Sequence, residues 1–210
     1  MKLSPRHIAA RLYDRLWLAP RGFGNPPPVE VWDRDFAAGR WAFLADVSES
    51  ARYALIHNYA VRCASGPYSV LDVGSGTGVM RTLFADGDLE DYTGLDISKE
   101  AVRLSSEHGY PKSRFLVADF DAYTPDQPHN VIIFNETLTY AKDPGVTFRK
   151  YWAGLPQGGV CVVSICDYDA RNRANWSRFE NDHKPDFSSR LVNEKGQAWD
   201  IKAYIKRYRR

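Results

Sequence analysis

Short apolar runs alternate with amphipathic stretches along the chain from residue 68 onward. The runs have the length of β-strands and lie at residues 70–73, 92–95, 114–118, 130–134 and 160–165. Apolar residues at helical spacing follow two of these runs, at 98–107 and 148–155. Strands that alternate with helices predict a mostly parallel sheet with helices on both faces, and so an α/β fold.

The C-terminal part breaks this alternation. Residues 190–193 and 198–205 have strand character and are joined through Lys195 and Gly196, which is a hairpin signal. They predict an antiparallel strand near one edge of the sheet. The basic residues at the end of the chain indicate a solvated edge strand and tail, so we expect no nucleic-acid partner.

The N-terminal segment predicts a helix followed by a linker. Residues 4–18 place apolar side chains on one helical face after Ser4 and Pro5, which suit the start of a helix. Residues 19–29 contain consecutive prolines, which lack amide donors and exclude regular structure. Such a helix on a flexible linker is either a mobile lid or a helix packed permanently on the domain.

Residues 29–62 are rich in aromatic residues and helical in tendency. Together with the first helix they predict a helical cap or lid with a proline-rich linker over residues 1–67. The main domain is then expected over residues 68–210.

Composition narrows the class of protein. A chain of 210 residues with 44% hydrophobic residues suffices for one globular domain, and a net charge of +2 is too small to indicate a nucleic-acid or membrane partner. No long apolar run predicts a membrane span or a signal peptide. The three cysteines form no C-x-x-C pair, so we expect a reduced, cytoplasmic setting. The sequence does not indicate an oligomeric state.

A glycine-rich loop follows the first predicted strand and is the strongest motif in the chain. It has the pattern Asp72-x-Gly74-x-Gly76-x-Gly78. Val79 stands where the dinucleotide fingerprint needs its third glycine, and the loop lacks the lysine of a phosphate-binding P-loop. Three glycines allow a tight turn and a close approach of ligand to backbone. Apolar residues at helical spacing predict a helix directly after the loop: Met80, Leu83 and Phe84.

This loop resembles the first motif of class I S-adenosylmethionine-dependent methyltransferases, and the resemblance covers residues 68–165. It implies a Rossmann-like, seven-stranded fold with S-adenosylmethionine as cofactor. The loop would then contact the cofactor through Asp72, Gly74, Ser75, Gly76, Thr77 and Gly78.

Acids at the ends of successive strands carry the resemblance further. Asp96 ends the second strand, where the family has a carboxylate that accepts from the ribose hydroxyls. Asp119 ends the third strand, where the family's acid accepts from the adenine amine. The neighbouring apolar residues Ile97 and Phe120 would cover the two faces of the adenine ring.

The resemblance also implies an acceptor side. The fourth strand leads into Asn135 and Glu136, where the family places residues beside the transferred methyl group. Glu136 followed by Tyr140 is similar to the bacterial nodulation-factor N-methyltransferases, which act on an amino sugar. In the family, the segment before the first strand covers the cofactor, which makes Trp41 and Arg52 candidates to contact its amino-acid end.

The predicted function is methyl transfer to a nitrogen or oxygen atom of a small molecule, such as a sugar or a sugar-containing metabolite. Glu136 and Tyr140 are the candidate catalytic residues, as acid–base groups. The absence of His/Asp clustering predicts no metal site, and the absence of a D/N-P-P-Y/F tetrapeptide argues against base methylation. The alternative is a non-catalytic cofactor-binding or partner-binding protein with the same fold. An NAD-linked oxidoreductase is disfavoured by Val79.

Overall fold

Seven strands form a single sheet at the centre of the molecule. The computed structural model describes residues 27–167, 176–177, 180 and 182–207. The strands are β1 Tyr68–Val73, β2 Leu89–Asp96, β3 Ser113–Val117, β4 Val131–Asn135, β5 Val160–Cys166, β6 Phe187–Val192 and β7 Ala198–Ile205. All seven were predicted, with ends that differ from the expected ones by a few residues at most.

The strands lie in the order β3-β2-β1-β4-β5-β7-β6. Neighbouring strands from β3 to β5 are parallel, and β7 pairs antiparallel with both β5 and β6. The predicted Rossmann-like α/β fold with an antiparallel C-terminal hairpin is therefore confirmed. Strand order reverses between β1 and β4, and this is the position where open α/β sheets bind ligands at the carboxyl edge.

Helices cover both faces of this sheet. They are α1 Val29–Ala37, α2 Val47–Cys63, α3 Lys99–Glu107 and α4 Pro144–Gly154, and short 3-10 turns occupy Ala42–Ala45, Val79–Leu83 and Leu138–Tyr140. Alternate residues of β1 enter different cores, because side chains alternate across a strand. Val70 packs in the core beneath α2, whereas Leu71 packs in the core beneath α4.

The prediction of a helix directly after the glycine loop is wrong. The chain forms only the 3-10 turn Val79–Leu83 there, and the Leu83 side chain is 37% exposed. The turn contains the buried side chain of Arg81. Its Nη1 donates to the Phe84 carbonyl at 2.8 Å and its Nη2 to the Pro111 carbonyl at 2.9 Å, so it binds the chain on both sides of β2.

The N-terminal segment is described only in part. The helix predicted at 4–18 and most of the linker at 19–29 lie outside the described residues. The helical tendency of 29–62 is confirmed by α1 and α2. The division of the chain at residue 67 stays a prediction; α2 packs on the sheet and contributes Tyr53, Ile56 and Ala60 to the core. In the described part of the chain, no helix combines the length and apolar character that a membrane span requires.

Candidate functional site

The glycine loop adopts a conformation that only glycine readily supplies. Gly74, Gly76 and Gly78 have φ values of 77°, 54° and 81°, in the left-handed region. The amides of Gly74 and Ser75 donate to the Leu95 carbonyl at 2.7 and 2.8 Å, which fixes the loop to β2.

The loop glycines differ in the space around them. A Cβ atom on Gly74 would lie 2.0 Å from Thr137 Cγ2, so this glycine is required by the packing of the protein itself. A Cβ atom on Gly76 would meet nothing closer than the Phe36 ring at 3.7 Å. A small side chain at Gly76 would therefore meet no steric clash and would lie in van der Waals contact with the Phe36 ring from α1.

Asp96 links this loop to the start of α3. Its Oδ2 accepts from the Gly76 amide and its Oδ1 from the Ser98 amide, both at 2.9 Å. Burial raises the pKa of Asp96, and these backbone hydrogen bonds oppose the rise. Because a carboxylate oxygen has two lone pairs, each oxygen can still accept one more hydrogen bond, as a pair of ribose hydroxyls would require.

Asp72 lies inside β1 rather than at the open edge. Its side chain is 1% exposed, and the Tyr92 hydroxyl donates to its Oδ2 at 2.6 Å. Its Oδ1 has no hydrogen-bond partner among the described residues. Burial, together with the nearby charge of Asp96, raises the pKa of Asp72 to about 7.

Asp119 and Phe120 follow β3 at the same edge as Asp96. The two strand ends are joined by a hydrogen bond of 2.8 Å from the Ala118 amide to the Asp96 carbonyl. Asp119 is exposed, and its Oδ1 accepts from the Asp121 amide at 2.9 Å. Phe120 and Ile97 are half-buried. The predicted adenine-binding residues are thus near one another, with the Asp119 carboxylate open to solvent.

Glu136 is held in a strained conformation at the end of β4. Its φ is 64°, which is uncommon for a residue with a side chain. Its Oε1 accepts from the Ser164 hydroxyl at 2.6 Å and its Oε2 from the Cys166 amide at 2.7 Å. Burial raises the pKa of Glu136, and the charge of Arg52 and these hydrogen bonds oppose the rise.

Arg52 reaches the same region from α2. Its Nη1 donates to Asn135 Oδ1 and its Nη2 to Glu49 Oε2, the latter at 2.8 Å. The guanidinium lies 5.7 Å from the ring centre of Trp199. The structure therefore brings Arg52, Asn135 and Glu136 together, with Arg52 already paired to Glu49.

Trp41 belongs to an aromatic cluster that α1 and the following turn form with the segment after β4. We call the region around Asn135, Glu136 and Tyr140 the acceptor edge. We define the aromatic cluster as Trp32, Phe36, Trp41, Phe43 and Tyr140. The Trp32 ring lies 5.2 Å from Tyr140, edge to face, and 5.6 Å from Trp41. The Trp41 Nε1 is buried and has no hydrogen-bond partner in the described part of the chain.

Asp33 attaches α1 to the cofactor-side edge. Its Oδ1 accepts from the Ser98 hydroxyl at 2.7 Å, directly beside Asp96. Asp33, Trp32 and Phe36 were not predicted as site residues. The i, i+4 spacing of Trp32 and Phe36 places them on one helix face and is a signal that could have indicated them.

Within the described residues, no group of three or more His, Cys, Asp and Glu side chains is arranged to hold a metal ion.

A glycine loop after β1, an acid at the end of β2 and an antiparallel seventh strand beside β5 together define a methyltransferase-type Rossmann-like protein. A family model described as a methyltransferase domain matches residues 65–202, and the chain belongs to that family.

Known proteins agree with this assignment. The chain is 27% identical over 143 residues to trans-aconitate 2-methyltransferase of Yersinia pestis, a match that covers 66% of this chain and 51% of the relative. It is 31% identical over 99 residues to phosphoethanolamine N-methyltransferase of Triticum aestivum, covering 45% of this chain and 20% of the relative. The chain thus spans about half the length of the first relative and a fifth of the length of the second.

Among solved structures, N-methyltransferase NodS of Bradyrhizobium japonicum WM9 in complex with S-adenosyl-L-homocysteine has the same fold. The TM-score is 0.67 at 13% identity, and the match covers 89% of this chain and 95% of NodS. The prediction of the class I S-adenosylmethionine-dependent methyltransferase family, with S-adenosylmethionine as its cofactor, is confirmed at the level of the family.

Proposed function

We propose that the protein transfers a methyl group from S-adenosylmethionine to a small molecule, at a nitrogen or oxygen atom, with an amine nitrogen favoured. The observation that carries the proposal is the hydrogen bond from the Gly76 amide to Asp96, which joins the loop after β1 to the end of β2, next to the point where strand order reverses. The Asp96 carboxylate has lone pairs that can accept from the hydroxyls of a ribose, and the glycine backbone beside it lets a nucleoside approach closely. Both features suit a nucleoside cofactor.

The residues present fit this cofactor. The backbone of Gly76 carries no side chain, and the Phe36 ring of α1 lies over it, 3.7 Å from where a Cβ atom would be. Asp96 would accept from the ribose hydroxyls, and Asp119 would accept from the adenine amine. Ile97 and Phe120 would pack on the base, as the sequence predicts. The candidate contacts of Trp41 and Arg52 with the amino-acid end of the cofactor stay predictions.

The charges at the acceptor edge favour an amine. Among the described residues, Glu49 and Glu136 face one buried cation there, Arg52, which already binds Glu49 and Asn135. An acceptor that arrives as a cation would balance the additional acid, whereas a carboxylate acceptor would add to the negative charge. The aromatic cluster beside this edge supplies apolar ring faces, which suit the C–H face of a sugar ring.

When bound, S-adenosylmethionine supplies an electrophilic methyl group on a sulfonium whose leaving group is neutral. The protein then has to align the acceptor and exclude water. Glu136 would take up the proton that an ammonium must lose before its nitrogen can attack, and a raised pKa suits that role near neutral pH. Tyr140, at the rim beside Trp32, would orient the acceptor through its hydroxyl.

The test uses three acceptors that share one ring: an amino sugar, the corresponding neutral sugar and the corresponding uronic acid. Radiolabelled S-adenosylmethionine is the methyl donor, and binding of S-adenosylhomocysteine is measured separately by calorimetry. We expect binding of S-adenosylhomocysteine and label transfer chiefly to the amino sugar. Preferential transfer to the uronic acid would contradict the amine assignment. Binding without transfer to any of a broad amine and alcohol panel would favour a non-catalytic protein.

A further inference from the structure

The loop after β3 has three backbone carbonyls that point at one lysine. Lys150 on α4 donates from Nζ to the carbonyl oxygens of Phe120 at 2.6 Å, Asp121 at 3.0 Å and Tyr123 at 2.8 Å. An ammonium group has three donor hydrogens, so this contact uses all of them. Within the loop, the amides of Ala122 and Tyr123 both donate hydrogen bonds to the Asp119 carbonyl.

Further contacts fasten the same loop to the same helix. The Tyr151 hydroxyl donates to the Phe120 carbonyl at 2.9 Å, and the Thr147 hydroxyl donates to Asp121 Oδ1 at 2.5 Å. Desolvation lowers the pKa of Lys150, and the charges of Asp121 and Asp119 oppose that change. The loop is therefore held by α4, with the half-buried Phe120 side chain packed against the core beneath that helix and the Asp119 side chain exposed.

We propose that Lys150 is a positioning residue that sets recognition of the cofactor's adenine base. The inference rests on the proposed function, because it takes Asp119 and Phe120 as the groups that meet adenine. Without the ammonium, three carbonyls lose their common donor and the turn that begins at Asp119 relaxes. The Asp119 carboxylate then no longer lies at a fixed distance from the exocyclic amine. Lys150 itself touches neither the cofactor nor the acceptor.

A second lysine provides a matched control. Lys206, directly after β7, donates from Nζ to the carbonyls of Trp152 at 2.9 Å and Ala153 at 3.0 Å, at the C-terminal end of α4. Desolvation lowers its pKa as well. Lys206→Met therefore removes a similar ammonium that binds carbonyls of the same helix, but it leaves the loop at 119–123 untouched.

The experiment measures dissociation constants of two ligands by calorimetry: S-adenosylhomocysteine and its analogue in which hydrogen replaces the adenine amino group. For Lys150→Met we expect S-adenosylhomocysteine to bind about tenfold more weakly and the analogue to change less than about threefold, the scale of a displaced charge-assisted hydrogen bond. Lys206→Met should change neither affinity by more than about twofold. Tyr151→Phe, which removes one donor to the same loop, should shift the ratio of the two affinities in the same direction by less.

Each outcome decides the matter. Equal weakening of both ligands by Lys150→Met would overturn the proposal, since general loosening of the fold does not distinguish the amino group. Unchanged affinities in the folded variant would overturn it too. If circular dichroism shows that Lys150→Met does not fold, the ratio in Tyr151→Phe decides instead, and an unchanged ratio there counts against the proposal. A wild-type protein that binds neither ligand would refute the proposed function.

Discussion

The Tyr92 hydroxyl on β2 donates a hydrogen bond of 2.6 Å to the Asp72 carboxylate on β1, with both groups buried in the sheet. This one bond does not compensate for the desolvation of the acid, and the pKa of Asp72 is raised to about 7. The first acid of the glycine-loop motif is thus largely protonated below neutral pH in the folded protein. In the unfolded chain it is ionised above its ordinary pKa of 3.8.

Asp72 therefore makes stability fall as pH rises. Between about pH 4 and pH 7 the folded state binds more protons than the unfolded state, so the free energy of unfolding decreases toward higher pH, by about 2–4 kcal/mol for this shift. We expect Asp72→Asn to remove that part of the slope. Urea denaturation of both proteins at pH 5 and pH 8 measures it. Parallel stability curves for the two proteins would show that Asp72 titrates as an ordinary acid.

Asp96→Ala should weaken cofactor binding. The variant loses the carboxylate that would accept from the ribose hydroxyls and also the two bonds that join the glycine loop to α3. We expect a loss of about 1.5–3 kcal/mol in binding free energy for S-adenosylmethionine, the scale of charge-assisted hydrogen bonds. Calorimetry measures it. Asp88→Ala, a change of an exposed acid just before β2, is the control, and equal affinities in all three proteins would remove Asp96 from the site.

The loop glycines should separate stability from binding. Gly74→Ala would bring a Cβ atom to 2.0 Å from Thr137, so we expect a large loss of thermal stability. Gly76→Ala has room in the protein and should cost only about 1–2 kcal/mol for its left-handed backbone, but the added methyl group occupies space that the cofactor needs. Gly76→Val should abolish binding. If Gly76→Val folds and binds S-adenosylhomocysteine normally, this loop is not the binding loop.

The residues that the sequence identified are those whose role follows from local pattern. Three glycines in alternate positions require a turn, and Asp96 follows an apolar run, so its place at the sheet edge follows from strand topology. The hairpin was visible at Gly196, whose φ is 76°. Each of these features depends on a few consecutive residues.

What the sequence could not indicate depends on long-range polar partners. Apolar spacing predicted a helix after the loop, but the chain forms only a 3-10 turn there, and its Arg81 binds Pro111 and Ser113, thirty or more positions away. The ammonium of Lys150 likewise binds carbonyls twenty-seven to thirty positions earlier in the chain. A lysine on a helix has the same local pattern whether it faces solvent or binds a distant loop.

The N-terminal segment should act as a cover for the site. We expect deletion of residues 1–25 to reduce turnover and leave the fold intact, because cofactor and acceptor would be less well shielded from water. Circular dichroism and methyl-transfer rates measure the two effects. Trp32→Ala, a change outside the deleted segment, provides a comparison. It removes the ring whose centre lies 5.2 Å from the centre of the Tyr140 ring, and it should raise the KM of the acceptor. Full activity in the truncated protein would end the lid hypothesis.

Glu136→Gln tests the acceptor side. The substitution keeps the size of the side chain and can keep the bonds from Ser164 and Cys166, but it removes the group that would accept a proton. Because burial raises the pKa of Glu136, we expect wild-type turnover to rise with pH above the usual range of a glutamate, and this rise should vanish in the variant. Turnover at neutral pH should fall by on the order of 10²-fold, a typical acid–base contribution.

Affinity for S-adenosylhomocysteine should stay nearly unchanged, and Glu90→Gln, at an exposed acid on β2, should behave as wild type. Wild-type turnover and an unchanged pH profile in Glu136→Gln would mean that alignment of the reactants suffices, or that another group takes the proton.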